Sequence, residues 1–75
     1  MPKFFFNVRY DGDRQDTEGE ELPDADAAWR EATIVAGEVF KDIDGRFRPG
    51  QELQLEVTDE QRKPLYLIRV TAEKF

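Results

Sequence analysis

The stretch "ELQLEVTD", residues 52–59, decides the fold because it shows the cleanest period-two alternation in the chain. Its apolar residues Leu53, Leu55 and Val57 fall on one side of an extended backbone, and polar residues fall on the other side. This pattern predicts a β-strand with one face in the core and one face in water.

The next segments predict that this strand is half of a hairpin. "DEQRKP" interrupts the alternation and supplies the connection. "LYLIRVTA" then follows with two apolar faces, one with Tyr66, Ile68 and Val70 and the other with Leu65 and Leu67. Because a strand covered on both faces is usually central in its sheet, we predict a central position for this one. The alternative is that the face with Leu65 and Leu67 meets another molecule.

Upstream of the hairpin, the period changes to that of a helix. Asp24 or Asp26 is suited to the N-cap position, and Gly45 is suited to a left-handed C-cap. Between them, apolar residues recur at spacings of three and four, which predicts an amphipathic helix with one stripe toward the sheet. The stripe consists of Ala28, Ala32, Val35, Ala36, Val39 and Ile43, flanked by Trp29 and Phe40.

The N-terminal segment "KFFFNVRY" predicts the first strand of the sheet. Phe4, Phe6 and Val8 share the predicted core face, whereas Phe5 falls on the wetter face. "TEGEEL", residues 17–22, suggests a short second strand that pairs back on the first. Together these elements predict an α+β fold in one domain, residues 1–75. The predicted antiparallel sheet has three to four strands with one helix packed on one face, in the order β-(β)-α-β-β.

The acidity of the chain is concentrated near its N-terminus. The chain has 11 Lys and Arg against 17 Asp and Glu, a net charge of -6. Residues 1–26 hold eight acids and three bases, net -5, and the remaining residues hold nine acids and eight bases, net -1. Because non-specific affinity for nucleic acid comes mainly from clustered Lys and Arg, this balance predicts no nucleic-acid partner.

The acidic stretch "YDGDRQDTEGEELPDAD", residues 10–26, raises the question of a calcium loop. A helix–loop–helix calcium site requires Gly at its sixth position and Glu at its twelfth. Counted from Asp11, those positions hold Asp16 and Leu22. We therefore interpret the stretch as two turns followed by a helix cap, and we expect no metal site.

Catalysis is disfavoured by the side chains that the chain lacks. It contains no His, no Cys and no Ser, so the usual base for an activated hydroxyl and any thiol nucleophile are missing. "GRFRPG" lacks the Lys-Ser/Thr pair of a phosphate-binding loop. We expect no enzyme activity and no cofactor.

The same composition bears on the cellular setting. The absence of Cys excludes a disulfide framework and fits a reducing compartment. The N-terminus does not have the pattern of a secretory signal, and no apolar run approaches the length needed to span a bilayer. We expect a cytoplasmic protein with no membrane partner.

Several short motifs along the chain resemble one known family. "FFFNVR" with "DG" after Tyr10 is followed by D-x-E-G-x-E-L-P-D at Asp16 to Asp24, by A-x-x-E-A at Ala28 to Ala32, and by E-V-T-D-E at Glu56 to Glu60. The set resembles a family of short bacterial proteins catalogued only as a domain of unknown function. The resemblance covers nearly the whole chain and implies a bacterial cytosolic setting, but no activity or site residues. Members of that family often have a Gly in the final hairpin turn, where this chain has Arg62-Lys63-Pro64.

The main functional hypothesis is a small non-catalytic protein-interaction module, with a homodimer as one form of it. Aromatic and Arg residues are enriched at interface hot spots, and one helix covers only one face of a small sheet. The predicted partner surface therefore consists of Phe5, Leu65, Leu67 and Phe47.

An alternative follows from a weaker resemblance to the antitoxins of small toxin–antitoxin pairs. Those proteins also run from a strand through an acidic turn and an "LPD"-like segment to an Ala- and Glu-rich helix. In this alternative the acidic segment masks a basic partner protein. The resemblance stops after the helix, and no basic DNA-binding segment follows.

Overall fold

A computed structural model describes all residues, 1–75. Its elements in chain order are β1 (Lys3–Arg9), β2 (Asp13–Arg14), β3 (Glu20–Glu21), α1 (Ala25–Ile43), β4 (Glu52–Thr58) and β5 (Pro64–Thr71). All strand pairs are antiparallel, and the sheet order is β2-β1-β4-β5 with β3 also paired to β1. The predicted α+β fold and element order are confirmed, with five strands instead of three to four.

The β4–β5 hairpin forms as the alternation predicts. Leu55 lies opposite Ile68, and Leu53 lies opposite Val70. The three apolar residues of β4 are almost completely buried, because β4 lies between the two long strands β1 and β5 and faces the core. The predicted central position of β5 is wrong: β1 occupies the other side of β4, so β5 is an edge strand.

Helix α1 begins at the predicted cap and packs with the predicted stripe toward the sheet. The Asp24 carboxylate accepts a hydrogen bond from the Ala27 N–H at 2.9 Å. Ala28 and Ala32 are fully buried, and their small side chains let the helix backbone lie close to the strands. At the other end Asp44 is the C-cap residue, with φ 55, and the predicted left-handed Gly45 follows it with φ 80. The helix lacks the apolar length that crossing a membrane requires.

The core lies between α1 and one face of the sheet. Phe4 and Val8 from β1 join the buried residues of β4 and α1 in a single cluster. Tyr66 on β5 packs against its margin, and the Tyr66 hydroxyl donates to the Ala25 carbonyl at 3.3 Å. The opposite face of the sheet has no helix over it.

Candidate functional site

One edge of the sheet is covered and the other is open, and this difference defines the candidate site. The outer edge of β1 pairs with β2 at Val8 and Arg9, and with β3 at Lys3 and Phe4. The edge of β1 is therefore covered at both of its ends. Only the middle of the strand, around Phe6, has no partner strand on that side.

Asp16 fills this gap with its own polar groups. Its Oδ2 accepts a hydrogen bond from the Phe6 N–H at 3.1 Å, and its own N–H donates to Oδ1 of Asn7 at 2.9 Å. Its Oδ1 accepts from the N–H groups of Glu18 and Gly19. One carboxylate thus completes the covered edge and also shapes the turn toward β3.

The ionised form of Asp16 is the form that this site stabilises. Partial burial opposes ionisation, but the hydrogen bonds from Gly19, Phe6 and Glu18, together with the charge of Arg62, outweigh it and lower the pKa of Asp16. At least one acid of the N-terminal stretch therefore has a structural role beyond a simple turn.

Arg62 closes the same region from the β4–β5 turn. Its guanidinium lies 3.7 Å from the centre of the Phe5 ring, and Nη1 donates to the Asp16 carbonyl at 3.0 Å. Arg62 has φ 65, so it occupies a left-handed position of the kind that glycine normally fills. The turn is held by Asp59, whose Oδ1 accepts from the N–H groups of Gln61 and Lys63.

Gly19 lets the acidic loop lie directly on β1. It has φ 73, and a Cβ atom placed on it would come within 2.8 Å of Lys3 Cγ and 3.0 Å of a Phe5 ring carbon. A side chain at this position would therefore lift the loop away from Phe5.

The outer edge of β5, in contrast, has no neighbour, because β4 is the one strand beside it. The Gly50 N–H donates to the Ala72 carbonyl on the β4 side at 3.1 Å. Backbone groups alternate in direction along an antiparallel strand, so the free N–H and C=O groups belong to the odd-numbered residues. After Leu65, which the register shift leaves without a partner on β4, these are Leu67, Arg69 and Thr71.

Large apolar side chains lie on both sides of this free edge. On the face without the helix, Leu65 is 37% exposed and Leu67 is 46% exposed. On the helix face, Trp29 packs against Tyr66 with ring centroids 5.1 Å apart and the rings tilted by 53°, and Trp29 is 43% exposed. Arg69 is the one charged residue within β5, and Pro64 with the irregularity at Val57/Thr58 limits regular pairing at the start of the strand.

A family model described as Domain of unknown function (DUF6894) matches residues 3–71. The chain belongs to the DUF6894 family. The predicted membership of an uncharacterised family is thereby confirmed, and the match runs from β1 through β5. Both edges of the sheet in this DUF6894 protein lie within the family domain. No curated protein and no solved structure matches the chain.

Two residues of the partner surface predicted for this DUF6894 protein are not free to contact a partner. Phe5 is only 8% exposed, because Arg62 and the loop at Gly19 cover it. Phe47 packs on the core between Tyr10 and Phe40, with ring centroids 5.8 and 5.5 Å away. The predicted exposure of Phe5 is wrong, and Phe47 is packed rather than free.

The remaining pair, Leu65 and Leu67, is exposed but is separated from Phe5 by β4. The residues of β4 on that face are polar: Glu56 lies opposite Leu67 on one side and opposite Asn7 on the other. Arg9 and Glu56 approach to 4.0 Å across this face. The apolar surface is therefore a strip along the β5 edge, not a patch across the sheet.

Proposed function

We propose that this DUF6894 protein is a non-catalytic protein-interaction module that forms a homodimer through the free edge of β5. The observation that carries the proposal is the contrast between the two edges. The edge of β1 is completed by β2, Asp16 and β3, whereas the edge of β5 is left open. An open edge of this length is a template for pairing with another strand.

The side chains around the edge support a protein partner. Leu65 and Leu67 on one face and Trp29 on the other are the large apolar residues that flank the open backbone groups. Together they form an apolar strip of the kind that marks an interaction site. A strand that docks here would gain main-chain hydrogen bonds and would also bury apolar surface on both faces.

The partner that fits the free edge of β5 best is a second copy of the same chain. A second β5 offers the same run of free backbone groups. Arg69 is its single charged residue, so two copies of β5 can pair without placing like charges opposite each other. A standard interface buries about 800 Å² per partner, roughly a seventh of this chain's accessible surface of 5413 Å². Backbone pairing alone does not reach that area, so the apolar side chains beside the edge belong to the proposed interface.

The absence of a catalytic role is supported by the chemistry available in the chain. Without His, Cys or Ser, the surface has no conventional nucleophile and no imidazole base. No three carboxylates lie close enough together to hold a metal ion. These features favour binding over reaction as the role of the exposed strip.

The test is the molar mass in solution, measured by light scattering over a wide range of protein concentration. We expect the parent to dimerise and Leu67→Lys to raise the dimer dissociation constant by about tenfold or more, because it removes buried apolar surface and adds a charge near Arg69 of the partner. Ile34→Lys is the matched control: Ile34 is also an exposed apolar residue, but it lies on α1, away from the β5 edge. It should dimerise like the parent.

Two results would contradict the proposal. A parent that stays monomeric at the highest concentration removes the homodimer. A dimer that Leu67→Lys and Ile34→Lys affect equally places the interface away from β5.

A further inference from the structure

The proposed dimer has a defined geometry, and we infer that two copies of β5 pair antiparallel about a two-fold axis at Ile68. This inference rests on the proposed function and names the register of its interface. The free backbone groups belong to Leu67, Arg69 and Thr71, and Ile68 is the midpoint between the first two. Pairing about that residue puts Leu67 opposite Arg69 of the second copy and Leu65 opposite Thr71.

In this register the free groups of Leu67 and Arg69, at the centre of the strand, all have a partner. The two Leu67–Arg69 pairs each exchange two N–H···O=C hydrogen bonds. Side chains on the helix face then bring Ile68 next to Ile68 of the second copy and Tyr66 next to Val70. Apolar and β-branched cross-strand pairs of this kind stabilise a sheet.

The neighbouring registers are worse for specific reasons. A two-fold axis at Leu67 would place Thr71 opposite Lys63, whose backbone groups are already used: its N–H donates to Asp59 Oδ1, and its carbonyl accepts from the Asp59 N–H. An axis at Arg69 would place two arginines directly opposite each other, which is unfavourable.

The resulting assembly is one continuous sheet across both copies. The strand order becomes β2-β1-β4-β5-β5-β4-β1-β2, and at each end the outer side of β1 is completed by β2, Asp16 and β3. The two-fold axis is perpendicular to the sheet, so both α1 helices lie on the same face. The dimer thereby leaves only the two-residue strands β2 and β3 at the edges of its sheet.

Cysteine cross-linking tests the register, because the chain has no Cys of its own. In the inferred register Ile68 forms a non-hydrogen-bonded pair with itself, with Cα atoms about 4.5 Å apart, within disulfide range. We therefore expect Ile68→Cys to form a disulfide-linked dimer at least about tenfold faster than the matched control Val70→Cys. Val70 lies on the same face, but its two copies would be displaced by about 14 Å along the strand.

Three further variants keep the test decisive. Leu67→Cys and Arg69→Cys report the neighbouring registers, since each would cross-link fastest if the axis lay at that residue. If Ile68→Cys fails to fold, a mixture of Tyr66→Cys and Val70→Cys chains should still form the mixed disulfide, whereas neither variant should cross-link alone.

The outcomes separate this inference from the proposed function. Fastest cross-linking at Leu67→Cys or Arg69→Cys overturns the register and leaves the β5 homodimer intact. A parent that dimerises while none of the β5 variants cross-links overturns both the register and the β5 interface. A monomeric parent overturns the homodimer itself.

Discussion

At the residue scale, Arg62 combines a conformational cost with two favourable contacts. Its left-handed backbone disfavours any side chain with a Cβ, and its guanidinium contacts the Phe5 ring and the Asp16 carbonyl. A Gly at this position would avoid the cost but would lack the contacts. Arg62 therefore links the β4–β5 turn to the covered edge of β1 in a way that Gly does not.

Two substitutions separate these effects. Arg62→Ala keeps the left-handed strain and loses both contacts, so it should lower the free energy of unfolding by about 1–2 kcal/mol. Arg62→Gly loses the same contacts but relieves the strain, so it should stay within about 1 kcal/mol of the parent. Urea unfolding of the three proteins measures this. If Ala and Gly are equally destabilising, the backbone strain at this position is negligible.

Residue-level exposure was the weakest of the predictions from sequence. Alternation along β1 correctly places Phe5 on the face away from the helix, yet it does not show what covers that face. The cover comes from Arg62, far away in the chain, and from a loop that lies close only because Gly19 has no side chain. A periodic pattern describes a strand and its two faces, but not a contact between distant turns.

At the element scale, the link between β2 and β3 acts as a strand substitute through Asp16. Removing the charge should therefore destabilise the fold. Asp16→Asn leaves one carbonyl oxygen where the carboxylate supplies two, so an N–H of Phe6, Glu18 or Gly19 loses its acceptor. The expected loss is about 1–3 kcal/mol in the free energy of unfolding at pH 7.

The effect should also depend on pH with a definite sign. Because the folded-state pKa of Asp16 is lowered, its stabilisation is fully present above the unfolded carboxyl pKa of about 3.9 and is lost as the pH falls through the folded value. The gap between parent and Asp16→Asn should shrink from pH 7 to pH 3 in denaturant titrations. Asp13→Asn, an exposed acid outside this hydrogen-bond network, is the control. A gap that is equal at both pH values contradicts this role.

Long elements could be predicted from sequence, but short strands and strand order could not. Helix α1 and strand β4 span several periods of their patterns. The sequence therefore predicts the N-cap of α1 and the buried face of β4. β2 has two residues, which is too short for any period, and it was missed. The two-faced pattern of β5 identified Leu65 and Leu67 but suggested a central strand. Edge or central position depends on which strands are neighbours, and the pattern of one strand does not contain that information.

At the scale of the whole molecule, a chain of 75 residues has little core to spare. Domains near this size bury only about 60% of the surface that the unfolded chain exposes. Helix α1 covers one face of the sheet, and the strip along β5 stays in water. Association through that strip would add to the buried surface of each copy.

Stability should then depend on protein concentration. If the native state is a β5 dimer, each tenfold rise in concentration should raise the Tm by roughly 3–6 °C, because association favours the folded state. Thermal unfolding followed over a roughly hundredfold concentration range measures this. Leu67→Lys should have a lower Tm than the parent at each concentration, because its dimer is weaker. A parent with a constant Tm over that range would not be an obligate dimer.

The contact between Trp29 and Tyr66 has a practical consequence as well. Trp29 is the chain's one tryptophan, and it lies where α1 meets the strand with the open edge. Indole fluorescence responds to water around the ring, and this ring is half exposed beside that edge. The protein therefore carries a native optical probe where α1 meets β5. The emission of Trp29 can follow helix docking and strand pairing without an added label.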